Sequence, residues 1–298
     1  MIDQNELKAI IEQVLGEMNV NASAAQTSAP ASVQSVSAAQ TTVDPGMIPD
    51  VTQIDLHTQY LVKNPVDKVG YQELKNHSPA RLGIGKAGPR YLTLPMLEFR
   101  AAHSAAQDAV FSPVDHDFIN QMNLFSVQTK CADKDTYLTR PDLGRQLSDE
   151  GVAAVREKCK KNPTVQLYVS DGLSSAAVKA NVADVMPAII QGLQSFGIEV
   201  GTPFFVEYGR VGVMDQITEL TGATVTCVLI GERPGLITAN SMSAYITYKG
   251  TVGMPESRRT VVSNIHDAGT PPVEAGAHIA EIIKKMLDAK ASGTDLKL

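Results

Sequence analysis

The sequence predicts an α/β protein whose C-terminal part is a Rossmann-like βαβ domain with a mostly parallel sheet. Short apolar runs alternate there with longer segments of helical periodicity, which is typical of parallel sheets. The stretch before it is more polar and reads as mainly helical, and a segment of small, uncharged residues precedes that stretch. We therefore divide the chain into a terminal helix (1–18), a linker (19–46), a helical region (47–160) and the sheet domain (161–298).

Strands are predicted where short apolar runs end at turn signals. The predicted strands cover residues 165–169, 204–207, 224–230, 243–248 and 260–263. Ligands of parallel sheets usually bind outside the carboxyl ends of the strands, so the loops that follow these runs are where a site is expected.

Helices are predicted between these strands and before them. In the sheet domain they cover about residues 174–196, 214–221 and 272–290, and the clearest helices before it are 92–107 and 145–160. Gly222 is expected to end the second of these helices, and Thr270 to cap the third ahead of its first prolines.

The first 18 residues predict an amphipathic helix on a flexible tether. One face collects the apolar side chains, which are Leu7, Ile10, Ile11, Val14, Leu15 and Met18. Residues 18–43 contain no charged residue, and such a composition favours a disordered linker. The helix either packs on its own domain as a frayed terminus or docks on another protein. The long tether favours docking.

Composition narrows the class of protein. The formal net charge is −6 and no block of Lys and Arg occurs, which argues against a nucleic-acid partner. Three scattered cysteines without CxxC spacing argue against a disulfide framework or a zinc site and favour a reducing cytosol. No apolar run reaches the roughly 18 residues that a membrane span needs. The chain is therefore expected to be a soluble, intracellular protein.

Residues 83–88 satisfy the spacing GxGxxG. That fingerprint indicates a dinucleotide site only between a buried strand and a helix, whereas the residues before Gly83 are few and polar, and Pro89 follows at once. We interpret the segment as a tight basic loop, with Arg81, Lys86 and Arg90 facing an anion.

Three loops follow predicted strands and are the candidate binding elements. Residues 170–174 read either as a helix N-cap or as a loop whose free N–H groups hold an oxygen of a ligand. Residues 231–235 bring Glu232 between glycines, and the alternative there is a Glu–Arg surface turn. Residues 264–266 follow a third strand, so three strand ends are expected to converge. No catalytic residue set and no metal-binding pair of histidines is visible.

Seven segments, in order, resemble the ethanolamine ammonia-lyase small-subunit family. The segments are residues 137–145, 170–174, 201–205, 208–211, 231–235, 263–266 and 269–275. The resemblance covers about residues 70–298, and several long motifs in order are more specific than any single fingerprint.

This resemblance implies an adenosylcobalamin-dependent enzyme that converts ethanolamine to acetaldehyde and ammonia by a radical mechanism. In that family the large subunit is a TIM barrel that holds the substrate, and the small subunit helps to enclose the cobalamin. The chain would thus be a non-catalytic, cofactor-binding subunit that requires the large subunit. The family's first helix directs the enzyme into a bacterial microcompartment, where shell or cargo proteins would be further partners.

Three residues match the family's cobalamin contacts, namely Val211, Glu232 and Val261. At Val261 better-known members are expected to carry Cys, so an apolar or backbone contact is implied there. The pattern DxHxxG, which places a histidine on cobalt, is incomplete, because Asp55 and His57 are followed by Tyr60 where Gly is needed. The resemblance therefore implies that cobalt keeps its own base as lower ligand.

Two other classes of function stay open. One is a nucleotide-binding oxidoreductase built on residues 83–88. The other is a structural adaptor recruited through the N-terminal helix, without a cofactor.

Overall fold

This computed structural model describes residue 50 and residues 54–297. Its β-structure consists of the strands of the sheet domain and a short hairpin ahead of it. The strands are β1 (Lys86–Ala87), β2 (Arg90–Tyr91), β3 (Phe125–Gln128), β4 (Val165–Ser170), β5 (Phe204–Glu207), β6 (Val225–Gly231), β7 (Met242–Tyr248) and β8 (Thr260–Ile265). The predicted N-terminal helix and the whole of the predicted linker lie outside the described residues.

The main sheet has six strands in the order β3-β5-β4-β6-β7-β8. Its first four strands pair in parallel, and β7 and β8 add two antiparallel pairs at the other edge. The predicted α/β class with a mostly parallel sheet is confirmed. Because β7 reverses direction and β8 reverses it again, the carboxyl end of β8 lies at the same edge as that of β6, with Ile265 and Gly231 both opposite Met242.

Eight α-helices lie in the described part of the chain. They are α1 (Lys68–Asn76), α2 (Thr93–Phe111), α3 (His116–Gln121), α4 (Lys134–Thr139), α5 (Asp149–Lys158), α6 (Ser175–Ser195), α7 (Val213–Thr221) and α8 (Pro272–Ala289).

The ends of three helices can be compared with the helix boundaries and caps predicted from the sequence. Helix α5 begins at Asp149, later than predicted, because Ser148 accepts a hydrogen bond from the N–H of Gly151 and so caps it. Gly222 ends α7 in the left-handed conformation, as predicted. Thr270 is not the cap of α8; Pro271 holds that position without a side-chain hydrogen bond, and the N–H of Thr270 instead donates to the Asn264 carbonyl.

Two hydrophobic cores lie on opposite faces of the sheet. Helices α6 and α8 cover one face, where Leu167 and Val169 of β4 are buried, and α5 and α7 cover part of the other, where Tyr168 is buried. All six residues of β4 are buried, as expected for a central strand with helices on both sides.

One strand of the sheet was not predicted. Phe125–Gln128 lies in the stretch read as mainly helical, and it forms β3, the edge strand that pairs with β5. Because the strand has four residues of mixed polarity, its sequence pattern is too short to identify. The division of the chain at residue 160 stays a prediction.

The loop at residues 83–88 is a hairpin, not the start of a βαβ unit. Its residues Lys86–Ala87 (β1) pair antiparallel with Arg90–Tyr91 (β2) around a turn at residues 88–89, and Gly83, Gly85 and Gly88 all have positive φ. Arg81 does not face an open anion site, because its guanidinium pairs with Glu98 at 3.0 Å and donates to the Leu236 carbonyl at 2.7 Å. The glycines therefore serve the turn.

Candidate functional site

A cavity of about 300 Å³ opens at the edge where β4, β6 and β8 end. Its wall is shared by the loop after β4, the end of β6, the outer face of β7 and β8, the segment before α7 and one residue of α4. The lining residues are Tyr137, Gly172, Leu173, Arg210, Val211, Ile230, Gly231, Glu232, Arg233, Ser243, Tyr245, Val261 and Ser263.

All three residues that the family resemblance singled out line this one cavity. Val211 lies before α7, Glu232 follows β6, and Val261 lies in β8. They come from separate segments of the chain, and only the fold brings them together. The predicted convergence of three strand ends is also present, since residues 170–174, 231–235 and 264–266 follow β4, β6 and the end of β8 at one edge.

Glu232 is held by three donors of the protein. Its Oε2 accepts from the Ser241 hydroxyl at 2.6 Å, and its Oε1 accepts from the Ser243 hydroxyl and from the Asn264 N–H at 3.2 Å. Partial burial by itself raises the pKa of this carboxyl, but these hydrogen bonds outweigh it, so its pKa lies below the usual range. Glu232 is therefore a fixed carboxylate that joins the β6 loop to β7 and β8. About one of its four acceptor positions remains for a ligand.

The loop after β4 packs against the end of β6 without side chains between them. The Leu173 N–H donates to the Gly231 carbonyl at 3.0 Å, and a Cβ on Gly231 would overlap the carbonyl oxygen of Ser174. Gly172 has φ +56 and faces the same carbonyl of Gly231. Both glycines are thus needed for the close approach of the two loops.

The prediction that residues 170–174 offer free N–H groups to a ligand is wrong at three positions. The N–H of Gly172 donates to Asp171 Oδ1, that of Leu173 to Gly231 and that of Ser174 to the Asp171 carbonyl. Ser174 is the N-cap of α6, and its hydroxyl also donates to the Ala239 carbonyl. The alternative, an N-cap, describes this loop better.

A buried cluster behind the cavity was missed by sequence reasoning. The Lys134 ammonium lies 3.5 Å from Asp171 Oδ2 and donates to the Gly172 carbonyl, and it stands 4.8 Å from the centre of the Tyr137 ring. Burial raises the pKa of Asp171, although Lys134 opposes this effect. The cluster fixes the loop after β4 against α4. No local pattern predicts it, because Asp171 lies more than thirty positions after Lys134 and Tyr137.

The outer face of β7 and β8 is only partly covered. Helix α8 packs on their opposite face, while Val261 points outward with 44% of its surface exposed. Antiparallel strands often have one open face, but an exposed valine in a cavity wall favours a partner or ligand there.

The described residues contain no group of three or more His, Cys, Asp or Glu placed to hold a metal ion. All three cysteines are free and buried, and burial raises the pKa of Cys227 to about 12. In the part of the chain that the structure describes, no helix has the length and hydropathy to cross a membrane. The cavity offers apolar walls, two guanidinium groups and one fixed carboxylate.

Comparison with known proteins identifies the family. The family model of the ethanolamine ammonia-lyase light chain matches residues 68–297. The chain belongs to the ethanolamine ammonia-lyase small-subunit family. It is 58% identical over 299 residues to the ethanolamine ammonia-lyase small subunit of Clostridium tetani, with 100% of both chains covered. It is 56% identical over 298 residues to that of Fusobacterium nucleatum, again with 100% of both covered.

A third small subunit of ethanolamine ammonia-lyase, from Listeria monocytogenes, is 53% identical over 296 residues, which cover 99% of this chain and 100% of the relative. The resemblance stated from the sequence motifs is thereby confirmed. Five of the segments that carried it contribute residues to the cavity wall, namely 137–145, 170–174, 208–211, 231–235 and 263–266.

Proposed function

We propose that this chain is the small subunit of an adenosylcobalamin-dependent ethanolamine ammonia-lyase and that its cavity receives one edge of the cobalamin. The large subunit, a TIM barrel, carries the substrate and the chemistry of deamination. The single observation that carries this proposal is the convergence of Val211, Glu232 and Val261 on one cavity wall.

The residues of the cavity fit the rim of a cobalamin. The corrin ring is apolar on its faces and carries amide side chains at its rim, so it needs apolar surface beside hydrogen-bond acceptors. Val211 and Val261 offer apolar surface. The free acceptor position of Glu232 and the hydroxyl of Ser263 offer hydrogen-bond acceptors. A cavity of about 300 Å³ is much smaller than a cobalamin. A second subunit is therefore required to enclose the rest.

The role of this chain is to bind and to orient. When bound, the cofactor supplies the organic radical that starts the reaction. Glu232 orients an amide of the rim because three protein donors already fix its carboxylate. The partly open face of β7 and β8 would be closed by the cofactor and the large subunit, and this closure would exclude water.

Difference spectra with hydroxocobalamin test this assignment. The co-purified complex of both subunits should give a corrinoid spectrum, and the isolated chain should not turn over ethanolamine. Val261→Asp in the complex should weaken binding at least about tenfold, because a charge would be desolvated against an apolar ring. Val252→Asp is the matched control, since Val252 is 64% exposed and does not line the cavity. Turnover by the isolated chain, or equal binding by both variants, would contradict the proposal.

The cellular setting forms a second part of the proposal. We infer that the predicted helix of residues 1–18 directs the enzyme into a bacterial microcompartment for ethanolamine degradation, where it meets shell or cargo proteins. The apolar stripe and the uncharged tether support this role. Of the competing functions, the dinucleotide site loses its support, because residues 83–88 lead into an antiparallel hairpin of residues 86–91 and not into a helix. An adaptor without a cofactor would be recognised by the absence of a corrinoid spectrum in the complex.

A further inference from the structure

Two arginines stand in the wall of the cavity, and one of them has a free head group. Arg233 follows Glu232 directly and is exposed at the cavity mouth. Its guanidinium makes no hydrogen bond or ion pair with any residue in the described part of the chain. A guanidinium that lines a cavity without a protein partner is available to an anionic ligand.

Arg210 is held in place by contacts with Tyr137. Its Nη2 donates to the Tyr137 carbonyl at 2.7 Å, and its guanidinium lies 4.4 Å from the centre of the Tyr137 ring. Its Nε is buried and has no hydrogen-bond partner. The side chain is therefore preorganised, and part of its donor capacity is unused. Preorganised donors lose less entropy when a ligand binds.

The charges around these arginines favour an anion. Glu232 is the only carboxylate in the cavity wall, and its two oxygens already accept three hydrogen bonds from the protein. Asp171 lies behind the wall and is paired with Lys134. The cavity wall therefore carries two guanidinium groups and one carboxylate that is already hydrogen-bonded, which gives the wall a net positive charge. The whole chain, in contrast, has a formal net charge of −6.

We propose that Arg210 and Arg233 form a subsite for the phosphodiester of the cobalamin nucleotide loop. This inference rests on the proposed function. The phosphodiester is the only peripheral group of a cobalamin that carries a negative charge, since the side chains of the corrin are neutral amides. Guanidinium groups bind phosphate oxygens through planar, charge-assisted pairs of hydrogen bonds. The subsite makes this chain select corrinoids that carry the nucleotide loop.

The subsite also sets the direction in which the cofactor lies. Glu232 and Arg233 are adjacent in the chain. The amide that donates a hydrogen bond to Glu232 and the phosphate that Arg233 binds must therefore belong to neighbouring parts of the ligand. This wall therefore faces the side of the corrin from which the nucleotide loop descends.

Two corrinoids that differ in a phosphate isolate the proposed contact. Cobinamide lacks the nucleotide loop, and cobinamide phosphate adds the phosphate without the base. Affinities of both for the complex of the two subunits are measured by difference spectroscopy, for the wild type and for Arg233→Gln and Arg210→Gln. Arg156→Gln is the matched control, because Arg156 is an exposed arginine of α5 that does not line the cavity.

The wild-type complex should prefer cobinamide phosphate by about tenfold or more, which corresponds to about 1.4 kcal/mol. Each cavity variant should reduce this preference to about threefold or less. Arg156→Gln should retain it. The affinity for cobinamide should stay unchanged in Arg233→Gln and Arg210→Gln, and this shows that the cavity itself is intact.

Three results would overturn the subsite. Equal preference in the wild type and in the cavity variants would show that neither arginine binds the phosphate. Weaker subunit assembly in Arg233→Gln, with the preference retained in the complex that still forms, would show that Arg233 pairs with the large subunit instead. Failure of the wild-type complex to bind any corrinoid would reject the proposed function as well, and it is thereby distinguished from the other two.

Discussion

At the scale of single residues, Glu232 joins three parts of the site. Its carboxylate binds Ser241 and Ser243 at the start of β7 and the N–H of Asn264 at the end of β8. Asn264 itself has φ +62, a left-handed conformation that Asn tolerates better than most residues. A substitution at Glu232 therefore changes the ligand contact and the shape of the wall together.

We expect Glu232→Ala to weaken cobalamin binding by about 1–3 kcal/mol while the subunits still assemble. The loss combines the missing acceptor for a corrin amide with three protein donors that no longer have a partner. Glu232→Gln keeps the size and one acceptor oxygen, so its loss should be smaller. Equilibrium dialysis of hydroxocobalamin with the purified complexes gives both values. Unchanged affinity in the Ala variant would remove Glu232 from the site.

Glu232 was predictable from its loop after a strand, whereas Val211 and Val261 were predictable only by resemblance. Composition and spacing pointed to the loops after the strands, and the fold agrees with that. They did not point to Lys134 and Tyr137, or to the pairing of Lys134 with Asp171, because the two members of this ion pair lie more than thirty positions apart and leave no periodic signal. Nothing in the sequence around Val261 marks it as a binding residue. It becomes notable only because its strand exposes that face.

At the scale of elements, two fixed contacts between distant segments hold the walls of the cavity. The first joins α7 to the start of β8: the guanidinium of Arg259 forms two hydrogen bonds with Asp215, of 2.8 and 3.0 Å, and both side chains are buried. Helix α7 follows Val211, and β8 carries Val261. This ion pair therefore connects the two apolar walls.

Removing one member of the Arg259–Asp215 ion pair should destabilise the folded chain. Arg259→Met leaves the Asp215 carboxylate buried without its partner and should destabilise the chain by about 3–5 kcal/mol. The double variant Asp215→Leu with Arg259→Met should be considerably more stable than the single variant, since it buries no charge. Urea denaturation followed by circular dichroism compares the three proteins. A double variant no more stable than Arg259→Met would show that the pair itself, not the uncompensated charge, matters.

The second contact joins the hairpin region to the loop beyond β6. Arg81 donates to the Leu236 carbonyl across 155 residues of sequence and is itself paired with Glu98. The segment that begins with Glu232 and Arg233 is thus tethered at its far end. The loop at residues 83–88, whose function the sequence left open, lies between this arginine and the hairpin's second strand.

Arg81→Met should loosen that segment. We expect faster hydrogen exchange of the backbone at residues 233–238 and a several-fold weaker affinity for cobalamin, because the loop would lose a fixed position before binding. Arg90→Met is a suitable control, since Arg90 is exposed and donates only to the neighbouring Tyr91 carbonyl. Unchanged exchange at residues 233–238 would show that the tether is dispensable.

Elements of the sheet domain were predictable because their apolar runs end at turn signals and alternate with segments of helical periodicity. The reversal of β7 and β8 was not predicted, although a signal for it exists in the chain. Ten residues separate β6 from β7, and none of them is helical. A parallel crossover needs about a dozen residues or more, usually with a helix, so this spacing favours an antiparallel connection. The edge strand β3 gave no such signal.

At the scale of the whole molecule, the proposed targeting assigns to the N-terminal residues the choice of where the enzyme acts. Fusing residues 1–18 to a fluorescent protein should give puncta in cells that make the microcompartment shell and a diffuse signal in cells that do not. Ile10→Glu with Val14→Glu should abolish the puncta, because two charges would lie on the apolar face that docks.

Deletion of residues 1–43 separates targeting from catalysis. The truncated subunit should support lyase activity with the large subunit but show reduced encapsulation, measured as the fraction that co-sediments with purified compartments. A fusion that stays diffuse, together with a deletion that destroys activity, would assign the helix to the folded domain instead.

The strand order has a consequence for synthesis on the ribosome. Strand β4 lies between β5 and β6, and both of these follow it in the chain. Its apolar side chains therefore leave the ribosome before either neighbour exists. About sixty further residues are needed to reach the end of β6, which takes about 3–12 s at ordinary rates of translation. During that interval a chaperone that binds extended apolar segments would protect β4, and slow codons between positions 170 and 231 would prolong its exposure.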